Sequence, residues 1–231
     1  MVACYTLFMP YPMVKDVSSV EAMAAERFSA TVNAVRVPRN LAGDFNAVAT
    51  RLLSIQSNLY DGMRHFTLWD VQQERAKSQK LCNIFSYSAA ERQALCTIEN
   101  DMRKITELGY YATLRALNPD GGKESELRRF HQDAEIEDHY EEAYESLLCC
   151  YKGATTEFIR HEDGLRGFQS FFTPREGCEI FRFKNGDIWK HAAASSGDIK
   201  SFIHRAPPQD EIRLVLLGSR QPPKYAPLFK I

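Results

Sequence analysis

Through the first half of the chain, apolar residues recur at helical spacing. Between Val17 and Leu108 they fall into three sets: Val20, Met23 and Ala24; Phe45, Val48, Ala49, Leu52 and Leu53; and Ala94, Leu95, Ile98, Met102 and Ile105. Capping residues precede two of these sets. Asp16 or Ser18 stands ahead of the first, and Ser88, with Glu91 three positions later, stands ahead of the last. The passage from Asn33 to Arg39 reads instead as extended, because Pro38 biases its predecessor away from helix. The expectation for this half is a mainly helical region.

From Gly109 onward the texture changes to short runs of strand-forming residues separated by turn chemistry. The runs are Tyr111 to Leu117, Ser146 to Tyr151, Thr155 to Arg160, Ile180 to Phe183, Ser201 to His204 and Ile212 to Leu217. The segments Asn118-Pro119-Asp120-Gly121-Gly122, Lys152-Gly153 and Asn185-Gly186-Asp187 supply turns between them. Strands at this spacing with little helix between them predict a sandwich or jelly roll. The fold class expected is α+β: a small, cupin-like jelly roll over residues 109–231, with a helical region, 1–108, packed on it as one compact unit.

Composition narrows the function classes. A chain of 231 residues, 44% hydrophobic and 26% charged, can bury a full core. A net charge of -1 and a pI near 6.6 give no pull toward polyanions, and no basic stripe with interleaved aromatics points to nucleic acid. Apolar runs such as Leu214 to Leu217 are too short to span a bilayer, and Met1 to Pro12 lacks the basic start and apolar core of a signal peptide. A cytoplasmic protein is expected. Six cysteines, at positions 4, 82, 96, 149, 150 and 178, include no Cys-x-x-Cys pair. Cys149 and Cys150 would point to opposite faces of a strand as reduced core residues.

The candidate chemistry lies in the second half. On an extended segment residues two apart face the same side, so His131 and Asp133 of His131-Gln132-Asp133 can address one cation. His204, at the end of a late strand, offers a third ligand. Two histidines and one carboxylate on one face of an octahedron leave three positions open, which suits Fe(II) binding a bidentate co-substrate and then dioxygen. Arg213 shares a strand face with Val215 and Leu217 and would point into the barrel, where a buried guanidinium requires an anion and its planar fork suits a carboxylate. His191 rivals His204 as ligand. Nine positions after His191 stands Lys200, behind a Gly-Asp turn, whereas nine after His204 stands Arg213 inside an apolar strand, and this favours His204. The plainer readings are a surface pair for His131 and Asp133 after Arg128-Arg129, and a core histidine for His204. His139 falls in an acidic, solvated stretch from Glu135 to Glu145; His65 and His161 read as surface residues, and Trp69 and Trp189 chiefly as packing.

At these residues the chain resembles the Fe(II)/2-oxoglutarate-dependent dioxygenase superfamily, whose fold is a double-stranded β-helix. Tyr111-Ala-Thr-Leu-Arg115 looks like the strand leading to the His-x-Asp motif, and Leu147-Leu-Cys-Cys-Tyr151-Lys-Gly-Ala-Thr-Thr-Glu157-Phe like the hairpin after it. The same stretches, with Asn33 to Arg39 and His204-Arg-Ala-Pro-Pro208, are similar to a bacterial protein family of unknown function. The resemblance covers about residues 109–217. It implies iron held by His131, Asp133 and His204, and 2-oxoglutarate chelated to the metal with its far carboxylate on Arg213. It further implies that Tyr151 hydrogen-bonds the co-substrate and that Thr113 or Arg115 lines the same cavity.

The implied activity is a hydroxylase or demethylase acting on a small molecule or a protein side chain. Two other classes stay open on the residues alone: a cupin-like metalloprotein without 2-oxoglutarate, and a non-catalytic binding module on the same fold. The substrate and the oligomeric state are not encoded in any pattern of the sequence.

Overall fold

The computed structural model describes residues 13–55, 63–80, 87–118, 129–133, 145–167, 170–193, 195, 197–207 and 211–220. Its first elements are β1 (Val14–Asp16), α1 (Val20–Ala25), β2 (Ala34–Val37), α2 (Phe45–Ser54), β3 (Met63–Phe66), α3 (Leu68–Lys80) and α4 (Ala89–Glu107). Strands then dominate: β4 (Tyr111–Leu117), β5 (Phe130–His131), β6 (Glu145–Lys152), β7 (Glu157–Ile159), β8 (Gly164–Arg166) and β9 (Phe171–Pro174), followed by β10 (Phe181–Arg182), β11 (Ile188–Ala192), β12 (Ile203–Arg205) and β13 (Arg213–Ser219). Met1 to Pro12, Cys4, Cys82, the turn residues Pro119 to Gly122, and the acidic stretch with His139 up to Tyr144 lie outside the described residues.

The strands form a seven-stranded sheet, ordered β1-β2-β11-β6-β13-β4-β3, and a six-stranded sheet, ordered β10-β7-β12-β5-β9-β8. Within them, β4, β6, β11 and β13 make the centre of the larger sheet, while β5, β7, β10 and β12 make one side of the smaller. Followed along the chain, this core starts in the larger sheet, crosses to the smaller and back three times, and pairs antiparallel throughout, so that β13 closes between β4 and β6 and β12 between β5 and β7. That wiring is the double-stranded β-helix, a jelly roll.

Helices cover the outer face of the larger sheet. Phe45, Val48, Ala49 and Leu52 of α2 and Ala94, Leu95, Ile98, Met102 and Ile105 of α4 share one core with Leu114, Ala116, Leu147, Cys149, Leu214 and Leu216 of the strands. Burying each such leucine, isoleucine or methionine contributes about 1.5–3 kcal/mol. Helix α4 begins as its sequence predicts, with a capping box in which Ser88 accepts from the Glu91 amide and Glu91 accepts from the Ser88 amide. Helix α1 is capped not by Asp16 or Ser18 but by the next residue, Ser19, whose hydroxyl accepts from the Ala22 amide at 3.1 Å.

The inner faces of the two sheets meet over an aromatic layer of Phe158, Phe181, Phe183, Trp189 and Phe202, joined by Leu148 and Ala34. Trp189 is therefore a packing residue of the inter-sheet core. The first half of the chain contributes strands as well as helices: β2 pairs β11, β1 pairs β2, and β3 pairs β4, extending the larger sheet at both edges. Strand β11, absent from the expected runs, sits next to the centre of this sheet with all five residues buried. The four described cysteines, Cys96, Cys149, Cys150 and Cys178, are free thiols. Among the described residues no helix is long and apolar enough to cross a membrane.

Candidate metal centre

The centre is assembled on the shortest strands. His131 ends β5 and lies directly opposite His204 on β12, so both imidazoles rise from the inner face of the smaller sheet with ring centroids 4.6 Å apart. The chain leaves β5 through Gln132, whose amide donates to the Ser170 carbonyl at 3.0 Å, and this places Asp133 at the rim beside both rings. Asp133 Oδ1 lies 3.3 Å from His204 Nε2 and 3.8 Å from His131 Nε2. All three ligand atoms fall within 4.8 Å of one another. Ligands on one face of an octahedron at bond lengths of about 2.0–2.2 Å stand about 3 Å apart, so side-chain shifts of an ångström or less would close the set on an ion.

Backbone carbonyls orient the two rings. His131 Nδ1–H donates to the Arg129 carbonyl at 2.7 Å and His204 Nδ1–H to the Phe202 carbonyl at 3.2 Å. Both bonds fix the tautomer and turn Nε2 toward the centre, the arrangement that prepares an imidazole for a metal. Burial and the neighbouring His204 push the His131 ring down to about 4. Burial also opposes charge on His204, but the Asp133 carboxylate outweighs it and holds His204 above its ordinary value. Burial raises Asp133 in turn, yet the His204 charge and the hydrogen bonds from His191 and His204 keep it well below the carboxylate range. His204 Nε2 and Asp133 Oδ1 thus face each other across the place a cation would take.

His191 is a neighbour of this set rather than a substitute for His204. It descends from β11 on the opposite sheet, fully buried, and its Nε2–H donates to Asp133 Oδ2 at 3.0 Å. Its ring stands 4.7 Å from that of His204, and Nδ1 is buried without a partner. One Asp133 oxygen is thereby committed to His191, leaving Oδ1 to face His131 and His204.

Arg213, on β13, lies on the inner face. Leu214 and Leu216 point into the helical core, while Leu217 packs against the inter-sheet aromatics, so Arg213, Val215 and Leu217 share the inner side. Arg213 is 6% exposed; one terminal nitrogen donates to Thr156 Oγ1 at 3.3 Å, the Cys150 thiol is adjacent, and its Nε is buried without a partner. Among the described residues no carboxylate pairs with it. Gly153, at φ +87°, lets the turn after β6 pass against this residue, because a Cβ there would meet the Arg213 Cα at 3.0 Å. On β4, Ala112, Leu114 and Ala116 point to the helices, so Thr113 and Arg115 face inward as well.

Tyr151 corrects an expectation. It turns to the outer face, stacks on Phe45 with centroids 5.3 Å apart, and donates its hydroxyl to Asp101 Oδ2 at 2.7 Å. Arg39 grips the same carboxylate at 2.7 and 2.5 Å. The sheet separates Tyr151 from the centre, and it is not placed to meet a co-substrate there. Thr156, which the sequence reading passed over, faces the centre instead; its signal was the two-residue spacing to Phe158, an inward residue of β7. His65 lies exposed on the edge strand β3, and His161 Nδ1–H donates to the Ser201 carbonyl at 3.3 Å, off the centre.

No family model and no curated protein matches the chain. Among solved structures it is similar to a dioxygenase for auxin oxidation from rice, at 13% identity over 91% of this chain and 83% of that one, with a TM-score of 0.46. It is also similar to YcfD, a ribosomal oxygenase from Escherichia coli solved with cobalt and 2-oxoglutarate, at 12% identity, 90% and 54% coverage and a TM-score of 0.41. A third is HygX from Streptomyces hygroscopicus with nickel and 2-oxoglutarate bound, at 11% identity, 71% and 84% coverage and a TM-score of 0.29. The chain spans about half the length of the E. coli protein. At these scores the likeness carries no argument about chemistry, which rests on the side chains.

Proposed function

We propose that this protein is a non-haem Fe(II)- and 2-oxoglutarate-dependent oxygenase of the hydroxylase or demethylase type. His131, Asp133 and His204 would hold the metal, and Arg213 with Thr156 would receive the distal carboxylate of the co-substrate. When bound, iron and 2-oxoglutarate supply the oxidising power for removing hydrogen from a substrate C–H bond, with succinate and carbon dioxide as by-products. The chain's own part is positional. His191 fixes which Asp133 oxygen faces the ion, the two backbone carbonyls fix both ligand rings, and the inter-sheet aromatics keep bulk water from the centre.

The observation that carries this reading is Arg213, a buried guanidinium facing the ligand set with no carboxylate among the described residues to pair it. Leaving such a charge uncompensated is costly, so an anionic ligand belongs beside it. A cupin-like metalloprotein that used no 2-oxoglutarate would keep the three ligands but have no need of this residue.

The test is an anaerobic calorimetric titration, first with Mn(II) and then with 2-oxoglutarate on the Mn(II)-loaded protein. Wild type is expected to bind both. Asp133→Ala and His204→Ala should lose Mn(II), while Arg213→Ala should keep Mn(II) and lose 2-oxoglutarate. Unchanged 2-oxoglutarate binding by Arg213→Ala sinks the assignment, and no uptake of Mn(II) or Fe(II) sinks the reading as a whole.

A further inference from the structure

Arg115 is a second inward arginine for which the reading above has no use. It projects from the inner face of β4, cross-strand from Val215 of β13 and His65 of β3. Arg213 is paired with Leu117, two residues along β4, so the two arginines are diagonal neighbours on one face, at a spacing of about 7–8 Å. Arg115 Nε is buried without a hydrogen-bond partner, and among the described residues no carboxylate pairs with its guanidinium. Asp133 is the charge that acts on it, at a distance and without a hydrogen bond. The side chain is only partly covered, and the exposed His65 beside it marks the direction of solvent.

Charge balance then separates the two arginines. A divalent ion and Arg213 carry three positive charges, and Asp133 with the two co-substrate carboxylates carries three negative ones, so that set is neutral without Arg115. A second guanidinium on the same inner face, with its Nε buried and unpaired, has a place for one more anion, on the one molecule not yet counted. We infer that Arg115 binds a carboxylate of the substrate, making the substrate class a small molecule with a single carboxylate near its oxidised carbon. Arg115 thereby serves substrate selection instead of the co-substrate role that the family resemblance implies for it. A planar fork with its Nε unpaired presents two parallel donors, the geometry a carboxylate accepts.

This inference rests on the oxygenase reading, and the experiment separates the two. Wild type, Arg115→Met and Arg115→Gln are loaded anaerobically with Mn(II) and 2-oxoglutarate. Each is titrated with aliphatic acids, benzoic acids and N-acetyl-L-amino acids, every acid paired with its primary amide. Thermal unfolding checks that both variants fold, and either folded variant suffices. The expected result is that at least one acid binds wild type and its amide does not, with affinity falling roughly tenfold to a hundredfold in the Arg115 variants. Affinity for Mn(II) and 2-oxoglutarate should be unchanged. If acids bind no better than amides, if no acid binds, or if the variants lose 2-oxoglutarate itself, the inference is overturned while the oxygenase reading stands. If wild type takes up no 2-oxoglutarate, it is the oxygenase reading that falls.

Discussion

Tyr151→Phe separates the two faces of β6. The substitution removes one hydroxyl and keeps the ring, so the stacking on Phe45 survives and what is lost is the 2.7 Å bond to Asp101 Oδ2. Burial, followed by the charge of Asp101, holds the Tyr151 hydroxyl well above its ordinary value, so it is a donor at any working pH. A hydrogen bond to a charged group contributes about 1.5–3 kcal/mol. Asp101 keeps both Arg39 bonds, and phenylalanine buries no polar atom, so the net loss should sit near the low end, about 1–2 kcal/mol. For a chain of this size that lowers Tm by about 2–8 °C. Calorimetric or fluorescence melting measures the loss, and anaerobic titration of the same samples measures Mn(II) and 2-oxoglutarate binding, which should not change. The opposite pattern refutes the reasoning: an unchanged Tm with 2-oxoglutarate affinity down roughly tenfold or more would put the hydroxyl on the co-substrate.

Three further outcomes follow from the centre. His191→Leu should weaken Mn(II) binding roughly tenfold to a hundredfold, as lost support of a ligand does, with recovery in His191→Gln, which retains a donor; equal affinity in all three proteins would show that Asp133 needs no support. Because His204 is held above its ordinary value, a proton competes with the ion there, so Mn(II) affinity should fall as pH drops from 8 to 6, approaching tenfold per unit below the His204 pKa, while His131, near 4, stays neutral throughout; a flat profile contradicts this. Gly153→Ala should cost about 1–3 kcal/mol in denaturant unfolding and loosen 2-oxoglutarate binding, since the new Cβ meets the Ile212 carbonyl at 2.8 Å and the Arg213 backbone at 3.0 Å; wild-type values for both would discount the close approach.

The sequence was most legible where one face of an element is polar or functional and the other is not. Strand β4 matches its expected run, residue for residue, because Tyr111 to Leu117 is bounded by Gly109 and a turn-forming segment. The inward aim of Arg213 was visible as an arginine alternating with leucines in β13. Tyr151 was not legible. Its strand runs Leu147-Leu148-Cys149-Cys150-Tyr151 with both faces buried, so no alternation tells one side from the other, and only the packing of α2 and α4 decides it. Strand β11 hid for a related reason: Lys190 reads as exposed but is buried in a pair with Glu145 at 2.8 Å, so the strand lacks a polar edge. Strand β5 has two residues and no period to read. His191 could be weighed only as a rival ligand from sequence, because its partnership with Asp133 exists only once the two sheets face each other.

The pairing of His131 with His204 across two very short strands has a consequence for the molecule's cohesion. Strand β5 is held in its sheet by a few backbone bonds to β9 and β12, and the chain beyond it continues directly to Asp133. A cation bridging these three side chains would cross-link segments far apart in the chain and would act as a fastener for the smaller sheet. By linkage, a hundredfold excess over Kd adds about 2.7 kcal/mol to folding stability. Slowed amide exchange and resistance to proteolysis should then concentrate at β5 and β12, the strands least able to hold themselves.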